Sequence, residues 1–310
     1  MSNNKKISIL GAGRVGSSIA YSLVLDGACS EVVLVDIAKE LAMGEAMDMV
    51  QGTPLAHPVN IYAGDYADIK DSDIVIITLG KARKPGQSRI ELVQGNVDII
   101  KQVMPQAVTY APNAIYIVVS NPVDILTYAI QKITDLPKER VIGTGTLLDS
   151  SRLRSIIATQ AEVNPSNVHG YVLGEHGDSS FVPWSLVSIA GMELESYNKG
   201  VFRNQYDKIQ EEVRRCGANV IKNKGATNYA IAMSVRHLTN SILKNTRGVL
   251  TVSSLMEGQY GIDDVCLSIP TVVGGEGIVH TLEPELTEAE QKQLLNSANI
   301  LKEVIHTIQF

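Results

Sequence analysis

His176 stands in a setting that suits proton transfer. It lies in Gly174-Glu175-His176-Gly177-Asp178, where glycines and acids flank the imidazole. The ordinary pKa of the ring is near neutral pH, so it can give a proton to a reacting oxygen or take one from it. A surface turn can carry the same residues, and the acid/base interpretation therefore depends on the motifs that accompany it.

Asp149 and Arg152 form a second pair of chemically capable residues. They are three positions apart in a segment with helical periodicity, so both side chains project from one helical face. We predict that Arg152 binds a substrate carboxylate, since a guanidinium can hold it bidentately. We predict that Asp149 accepts the second ring N–H of His176, which fixes the tautomer and stabilises the charged ring. The simpler alternative is a surface ion pair worth about 0.5 kcal/mol.

The segment from Lys81 to Arg89 holds four cations in nine residues of an otherwise acidic chain. Pro85-Gly86 gives the segment a bend, and it follows an apolar run and precedes a helical pattern. Such a charge run is usually a solvated loop, but at this place it is typical of a lid over an anionic ligand. We predict that Arg89 polarises the substrate carbonyl when the lid closes and water is expelled.

A glycine motif indicates a dinucleotide site. Gly11-Ala12-Gly13-Arg14-Val15-Gly16 follows an apolar run and opens a helical pattern, which places a pyrophosphate on a helix N-terminus. Asp36 comes 20 residues after Gly16, where a carboxylate binds ribose hydroxyls and repels a 2′-phosphate, so NAD is favoured over NADP. We assign the following residues to the cofactor site: Gly11, Gly13, Val15, Gly16, Asp36, Thr78, Gly80, Val119 and Asn121. The alternative is a plain glycine turn with a solvated aspartate.

The first half of the chain alternates apolar runs with amphipathic stretches. The runs are rich in Ile and Val, as in parallel strands covered on both faces: Lys6–Leu10, Val32–Val35, Ile74–Leu79 and Ile115–Val119. The helical patterns between them are Gly16–Asp26, Lys39–Val50, Arg89–Ala107 and Val123–Ile133. This alternation predicts an α/β fold with a doubly wound parallel sheet of the Rossmann type.

The second half predicts a separate α+β substrate-binding and catalytic domain. Its helical patterns are Leu147–Thr159, Asp207–Lys222 and Ala226–Lys244, and Val168–Leu173 has the character of a strand. The runs Val249–Leu255 and Val265–Val273 predict an antiparallel hairpin. Thr287 and Glu290 fit a capping box that opens a last helix. We divide the chain into a NAD-binding domain, 1–143, and a catalytic domain, 144–310.

Composition excludes several function classes. The net charge of −6 and the lack of a basic run argue against nucleic acid as a partner. The three cysteines match no metal-ligand spacing, so no metal is expected, and an odd sparse count favours a reducing compartment. The apolar runs are too short to cross a membrane, and the N-terminus has no room for a signal peptide. We therefore expect a cytoplasmic protein.

Five further stretches, together with the glycine loop, resemble the lactate/malate dehydrogenase family over nearly the whole chain and in the family's order. They are 80–89 (GKARKPGQSR), 120–124 (SNPVD), 143–152 (GTGTLLDSSR), 174–178 (GEHGD) and 225–227 (GAT). The resemblance implies an NAD-dependent enzyme acting on a 2-hydroxy acid. It places His176, Asp149 and Arg89 in catalysis and Arg83, Arg89, Asn121, Arg152 and Thr227 in substrate binding. A non-catalytic NAD-binding protein is a remote alternative, since it would need none of the catalytic set.

The choice between the family's two substrates turns on Arg83. The resemblance places it at the variable end of the substrate, where lactate dehydrogenases usually carry glutamine and malate dehydrogenases arginine. An unpaired second carboxylate in a closed site would cost several kcal/mol, which favours oxaloacetate and malate as the main expectation. The segment 143–149 and Thr227 instead resemble lactate dehydrogenases. Lactate dehydrogenase, acting on pyruvate and lactate, is therefore the alternative.

Arg154 and His169 match positions that bind fructose 1,6-bisphosphate between subunits in activatable bacterial lactate dehydrogenases. The resemblance thus implies a homotetramer or homodimer with a possible anion site formed by these two cations and their symmetry mates. A solvated arginine and a histidine at the start of a strand are the alternative.

Overall fold

A computed structural model describes residues 4–81, 89–202 and 204–310, with the backbone alone for Arg89, Asn198 and Lys199. Within these ranges no helix combines the length and the apolarity needed to cross a bilayer.

The first half forms a parallel sheet. Its strands are β1 (Lys6–Leu10), β2 (Glu31–Val35), β3 (Asn60–Ala63), β4 (Ile74–Ile77), β5 (Ile115–Val118) and β6 (Val141–Gly143). They lie in the order β3-β2-β1-β4-β5-β6, with every neighbouring pair parallel. The chain moves outward in opposite directions from β1 and β4, so a crevice opens at the carboxyl ends of these two strands. This confirms the predicted doubly wound sheet.

Helices cover both faces of the sheet, as right-handed crossovers between parallel strands require. They are α1 (Arg14–Asp26), α2 (Lys39–Gly52), α3 (Arg89–Tyr110) and α4 (Val123–Ile133). Successive strand residues enter opposite cores: Ile74 and Ile76 pack on one side, and Val75 and Ile77 on the other. Burial of such a side chain is worth about 1.5–3 kcal/mol, so a strand apolar on both faces is stable only in the middle of a sheet like this one.

The second half adds helices, three strands to the large sheet and a small separate sheet. The helices are α5 (Leu147–Ala161), α6 (Tyr206–Lys224), α7 (Tyr229–Leu243) and α8 (Glu288–Ile305). The small antiparallel sheet contains β7 (Val168–His169), β8 (Ser188–Ile189) and β9 (Met192–Glu193). The strands β10 (Gly248–Glu257), β11 (Asp263–Gly274) and β12 (Gly277–Thr281) pair antiparallel and extend the large sheet beyond β6. Because Ser253 of β10 pairs with Gly143 of β6, the large sheet contains strands from both sides of the predicted domain boundary at 143/144. The boundary itself stays a prediction.

Several local predictions are confirmed. β10 and β11 form the predicted antiparallel hairpin. At the start of α8, the Thr287 hydroxyl accepts the Glu290 N–H while the Glu290 carboxylate accepts the Thr287 N–H, which is a capping box.

Two strands differ from prediction for identifiable reasons. The predicted strand 168–173 pairs with β8 only at Val168 and His169, and Leu173 instead pairs with Phe181 farther along the chain. β3 is absent from the prediction because it is the edge strand, half-exposed, and lacks the continuous apolar pattern of its neighbours.

Candidate active site

The loop between β1 and α1 is built for close approach of a ligand to the backbone. Gly11 has a φ of +106°, a conformation that favours glycine. A Cβ on Gly16 would lie 1.9 Å from the Gly11 carbonyl oxygen, so the helix packs against the loop only because this position is glycine. A Cβ on Gly13 would meet nothing within 4 Å, which leaves space above the helix N-terminus.

The N-terminus of α1 can receive an anion. No side chain among the described residues caps it, and no acidic residue stands in its first turn, so its N–H groups and the helix dipole favour a phosphate. Asp36 follows β2 at the same edge, and its two oxygens accept the N–H groups of Ala12 (2.7 Å) and Ala38 (2.9 Å). These bonds hold the carboxylate beside the loop with lone pairs left for ribose hydroxyls. The loop and Asp36 therefore fit a dinucleotide.

Thr78 connects the glycine loop to the crevice. It follows β4, and its hydroxyl donates to the carbonyl oxygens of Gly11 (2.8 Å) and Leu10 (3.1 Å). Thr78 thus braces the loop from the side of β4, at the point where the strand order reverses.

Asp149, Arg152 and His176 lie together, as the sequence predicted. Nδ1 of His176 is 2.6 Å from Oδ2 of Asp149, and Nη1 of Arg152 donates to Oδ1 of Asp149 over 2.8 Å. Asp149 and Arg152 lie on α5, whereas His176 lies on the turn after β7. With Nδ1 held by the carboxylate, Nε2 is the ring nitrogen that can exchange a proton with a ligand.

The charges in this cluster support one another. Burial alone would lower the pKa of His176, but the attraction of Asp149 and its hydrogen bond outweigh burial, so the pKa is raised above its ordinary value. Burial would raise the pKa of Asp149, but His176 and Arg152 outweigh it, and this pKa is lowered. The pair therefore favours an imidazolium beside a carboxylate.

A cavity of about 480 Å³ joins the cofactor crevice to this cluster. The predicted residues that line it are Val15, Thr78, Gly80, Val119, Asn121, Arg152, His176 and Thr227. Gly11, Gly13, Gly16 and Asp36 lie at the loop described above, and Asp149 stands behind His176. The structure thus brings most of the predicted site residues to one cleft.

The cavity has further lining residues to which the sequence analysis gave no individual role. They are Leu79, Lys81, Asn96, Ser120, Thr144, Gly145, Leu148, Gly217, Ala218, Ile221 and Ile231. Asn96 of α3 is only 3% exposed, accepts the Lys81 N–H (2.9 Å) and donates to the Asn121 carbonyl oxygen (2.8 Å). Asn96 could have been found from the sequence, because it is a polar residue inside the apolar stripe of a helix, and such a side chain is buried only when it has hydrogen-bond partners.

Two predicted lid residues cannot be placed. Arg83 lies outside the described residues, and of Arg89 the structure describes only the backbone, at the first position of α3. Their roles stay predictions.

The predicted anion site is placed only in part. Arg154 donates through Nη2 to the Pro165 carbonyl oxygen (3.2 Å), in the turn that precedes β7, and His169 is an exposed residue of β7. The two residues therefore lie in neighbouring elements, and their use as an anion site stays a prediction.

Comparison with known proteins gives relatives along the whole chain. An L-lactate dehydrogenase 1 of Clostridium acetobutylicum is 46% identical, over 99% of this chain and 100% of its own length. An L-lactate dehydrogenase of Clostridium perfringens is 48% identical, over 96% of this chain and 95% of its own. The crystal structure of MGS-M5, a lactate dehydrogenase from a Medee basin deep-sea metagenome library, superposes with a TM-score of 0.95 at 39% identity and covers 98% of this chain and 99% of its own.

The prediction of oxaloacetate and malate as substrates is wrong. The similar proteins are named lactate dehydrogenases, as the sequence alternative had it. The prediction gave the single charge of Arg83 more weight than the framework of the site.

Family models match both halves of the chain. Residues 5–143 match the lactate/malate dehydrogenase NAD-binding domain, and residues 146–309 match the lactate/malate dehydrogenase α/β C-terminal domain. NAD is therefore the cofactor, and the chain is an NAD-dependent oxidoreductase acting on the CH–OH group of a 2-hydroxy acid. It belongs to the lactate/malate dehydrogenase family.

Proposed function

We propose that the chain is an L-lactate dehydrogenase, which interconverts pyruvate and L-lactate. The observation that carries the proposal is the cluster of Asp149, His176 and Arg152 at a cavity that Ala218, Ile221 and Ile231 also line. The names of the relatives at 46–48% identity agree with it.

The residues that line the cavity support a small monocarboxylate. Arg152 donates to Asp149 through Nη1, and within the described residues its other nitrogens form no hydrogen bond, so they can take the substrate carboxylate. Ala218, Ile221 and Ile231 line the same cavity and offer contacts to a methyl group. Thr227 lies with them and is proposed to contact the substrate side chain.

Bound NADH supplies the hydride that reduces C2 of the substrate. In this direction His176 gives the proton at Nε2 to the carbonyl oxygen, and in the reverse direction Nε2 takes it from the hydroxyl. Asp149 holds the ring in the required tautomer and stabilises its charged form. Asn121 is proposed to hydrogen-bond the substrate oxygen, and Arg89 to polarise the carbonyl.

The raised pKa of His176 sets the expected pH dependence. Reduction needs the protonated ring, so it is favoured below this pKa and declines as the pH rises through it. Oxidation of lactate needs the neutral ring and increases over the same range. As the pH rises through this pKa, the rate of pyruvate reduction therefore falls and the rate of lactate oxidation rises.

The test compares kcat/KM for pyruvate and oxaloacetate, and for L- and D-lactate, by NADH absorbance. We expect preference for pyruvate and for L-lactate. Preference for oxaloacetate, or for D-lactate, would contradict the proposal.

His176→Asn tests the proton donor. We expect turnover to fall by about 10³-fold or more, while NADH affinity stays within about twofold. His280→Asn is the matched control, because His280 lies on β12 and lines a different pocket. A comparable loss of NADH affinity in His176→Asn would mean that the role is misassigned.

We also propose that the chain works as a homodimer or homotetramer. Support comes from apolar side chains exposed on α1, α2 and α7, among them Tyr21 (55%), Met47 (61%) and Met233 (60%). An apolar face of this kind is commonly covered by a second subunit. Sedimentation of the wild type and of Met233→Glu tests it, with a monomeric wild type as the contradicting result.

In such an oligomer we propose that Arg154 and His169 bind fructose 1,6-bisphosphate across a two-fold axis. The ligand would favour one of two states of the enzyme and so raise its affinity for pyruvate. Substrate curves unchanged by the bisphosphate would contradict this role.

We further propose a cytoplasmic location, which is supported by three free thiols, Cys29, Cys216 and Cys266.

A further inference from the structure

A second carboxylate holds His176. Asp124 lies in the first turn of α4 and is 2% exposed. Its Oδ2 accepts the backbone N–H of His176 over 2.8 Å. His176 is thus held twice, at its ring by Asp149 and at its backbone by Asp124.

Holding a backbone N–H does not require a side chain that can carry a charge, as Asp124 can. Burial raises its pKa to about 6, against hydrogen bonding from Ser253 and from the His176 N–H and the attraction of the His176 ring, which lower it. Its Oδ1 lies close to the Ser253 hydroxyl, and neither atom has another hydrogen-bond partner within the described residues. An uncharged asparagine would hold the same N–H at a smaller desolvation cost, so the charge itself calls for a purpose.

The groups around Asp124 come from three elements. His176 and Glu175 face it from the turn after β7, Ser253 faces it from β10 and Cys266 faces it from β11. Burial and the charge of Asp124 raise the pKa of the Cys266 thiol well above its ordinary value, so that thiol stays neutral. From α5, Asp149 and Arg152 act on the same imidazole.

The position of Asp124 links two sides of the cavity. Three residues before it, Asn121 lines the cavity, and its Oδ1 accepts the Val123 N–H over 3.3 Å. The start of α4 therefore holds Asn121 directly and His176 through Asp124. A shift of this helix end would move both side chains together.

We propose that Asp124 is a positioning residue for the reaction: it fixes the His176 turn so that Nε2 faces the cavity, and its negative charge favours the imidazolium. The inference rests on the acid/base role of His176 in the proposed function. The charge adds to that of Asp149, since attraction to Asp124 also acts to raise the pKa of His176.

Two variants separate the bond from the charge. In Asp124→Asn the amide oxygen can still accept the His176 N–H, so the charge alone is lost. In Asp124→Ala both are lost. Asp73→Asn is the matched control: Asp73 accepts the Lys6 N–H over 2.9 Å, in the same kind of bond, and lines a different pocket from the active-site cavity.

The first readout is the NMR titration of the His176 ring in the protein without NAD or substrate, assigned with His176→Asn. We expect its midpoint to move to lower pH in Asp124→Asn and to stay in place in Asp73→Asn. The second readout is kcat/KM for reduction against pH. At pH 7.5, above the pKa of Asp124, we expect kcat/KM of Asp124→Asn to fall by about tenfold, the factor by which a hydrogen bond to a charged group exceeds one to a neutral group. The alkaline limb of the profile should move to lower pH, like the midpoint.

In Asp124→Ala the loss of kcat/KM should exceed that of Asp124→Asn, with NADH affinity within about twofold of wild type. A His176 titration and pH profile unchanged in Asp124→Asn would overturn the inference. If that variant fails to fold, Ser253→Ala serves instead. It removes a hydroxyl that lowers the pKa of Asp124, so the His176 midpoint should again fall, and an unchanged midpoint would overturn the inference.

The titration also keeps the two proposals apart. It uses no 2-oxo acid, so a chain that ignored pyruvate but showed the shifted midpoint would lose the proposed function and retain the role of Asp124 toward His176. If the chain reduced pyruvate but the His176 midpoint did not move in Asp124→Asn, the proposed function would stand and the role of Asp124 would be lost.

Discussion

Asp149→Asn is the perturbation that most directly tests the site. The wild-type carboxylate accepts from Nδ1 of His176 (2.6 Å) and from Nη1 of Arg152 (2.8 Å). Asparagine offers only one acceptor oxygen, so its NH2 group must face one of these two donors. The substitution therefore loses one bond outright and removes the charge from the other.

The magnitude follows from these two bonds. A hydrogen bond to a charged group contributes about 1.5–3 kcal/mol, and the cluster is mostly buried, so solvent screens it little. The loss of one such bond and the weakening of the other to a neutral bond together amount to about 3 kcal/mol, which corresponds to a loss of about 100-fold in kcat/KM. Loss of the Asp149 charge also lowers the pKa of His176, so reduction should decline at lower pH than in wild type.

The assay is NADH oxidation with pyruvate, measured from pH 5.5 to 9. Asp26→Asn is the control, because Asp26 also accepts from an arginine, Arg236 (3.0 Å), outside the active-site cavity. We expect the control to stay within about twofold of wild type. Activity of Asp149→Asn within threefold of wild type, with its alkaline limb in place, would refute the assignment of Asp149.

Three further substitutions test the cofactor site and the fold. Gly16→Ala places a Cβ 1.9 Å from the Gly11 carbonyl oxygen, so NADH affinity measured by fluorescence should fall by more than about tenfold, whereas Gly44→Ala, with open space, should not change it. Asp36→Ser removes the charge that repels a 2′-phosphate, so the ratio of kcat/KM for NADH over NADPH should fall by about tenfold or more, and an unchanged ratio would contradict the role of Asp36. Gly277→Ala combines a φ of +98° with a backbone oxygen 2.1 Å from the new Cβ, so the free energy of unfolding should fall by about 2 kcal/mol or more, measured in urea.

Sequence reasoning failed where one residue had to be weighed against the rest of a site. Arg83 alone predicted malate, while segment 143–149 and Thr227 indicated lactate, as the relatives do. The contribution of a charge to specificity depends on its distance from the ligand and on its desolvation, and neither follows from its position in the chain.

Local pattern was enough for much of the fold and for the cofactor loop. β1 and α4 begin and end at the predicted residues, because runs of Ile and Val and helical periodicity report burial directly. The glycine loop and Asp36 were predictable for a similar reason, since a tight turn before a helix requires glycine at set positions. The edge strand β3 was not predicted, because its half-exposed residues give a weaker hydrophobic pattern.

Tertiary structure decided which distant residues meet. Asp149 and His176 are 27 positions apart, and Asp124 reaches the same histidine from 52 positions away. Asn96 bridges Lys81 and Asn121 from inside an otherwise apolar helix face. Contacts of this kind depend on how α3, α4, α5 and the turn after β7 pack around one cleft. The amino-acid sequence by itself determined the chemistry that was available and the elements that carry it, and packing over long separations determined which of those groups act on one another.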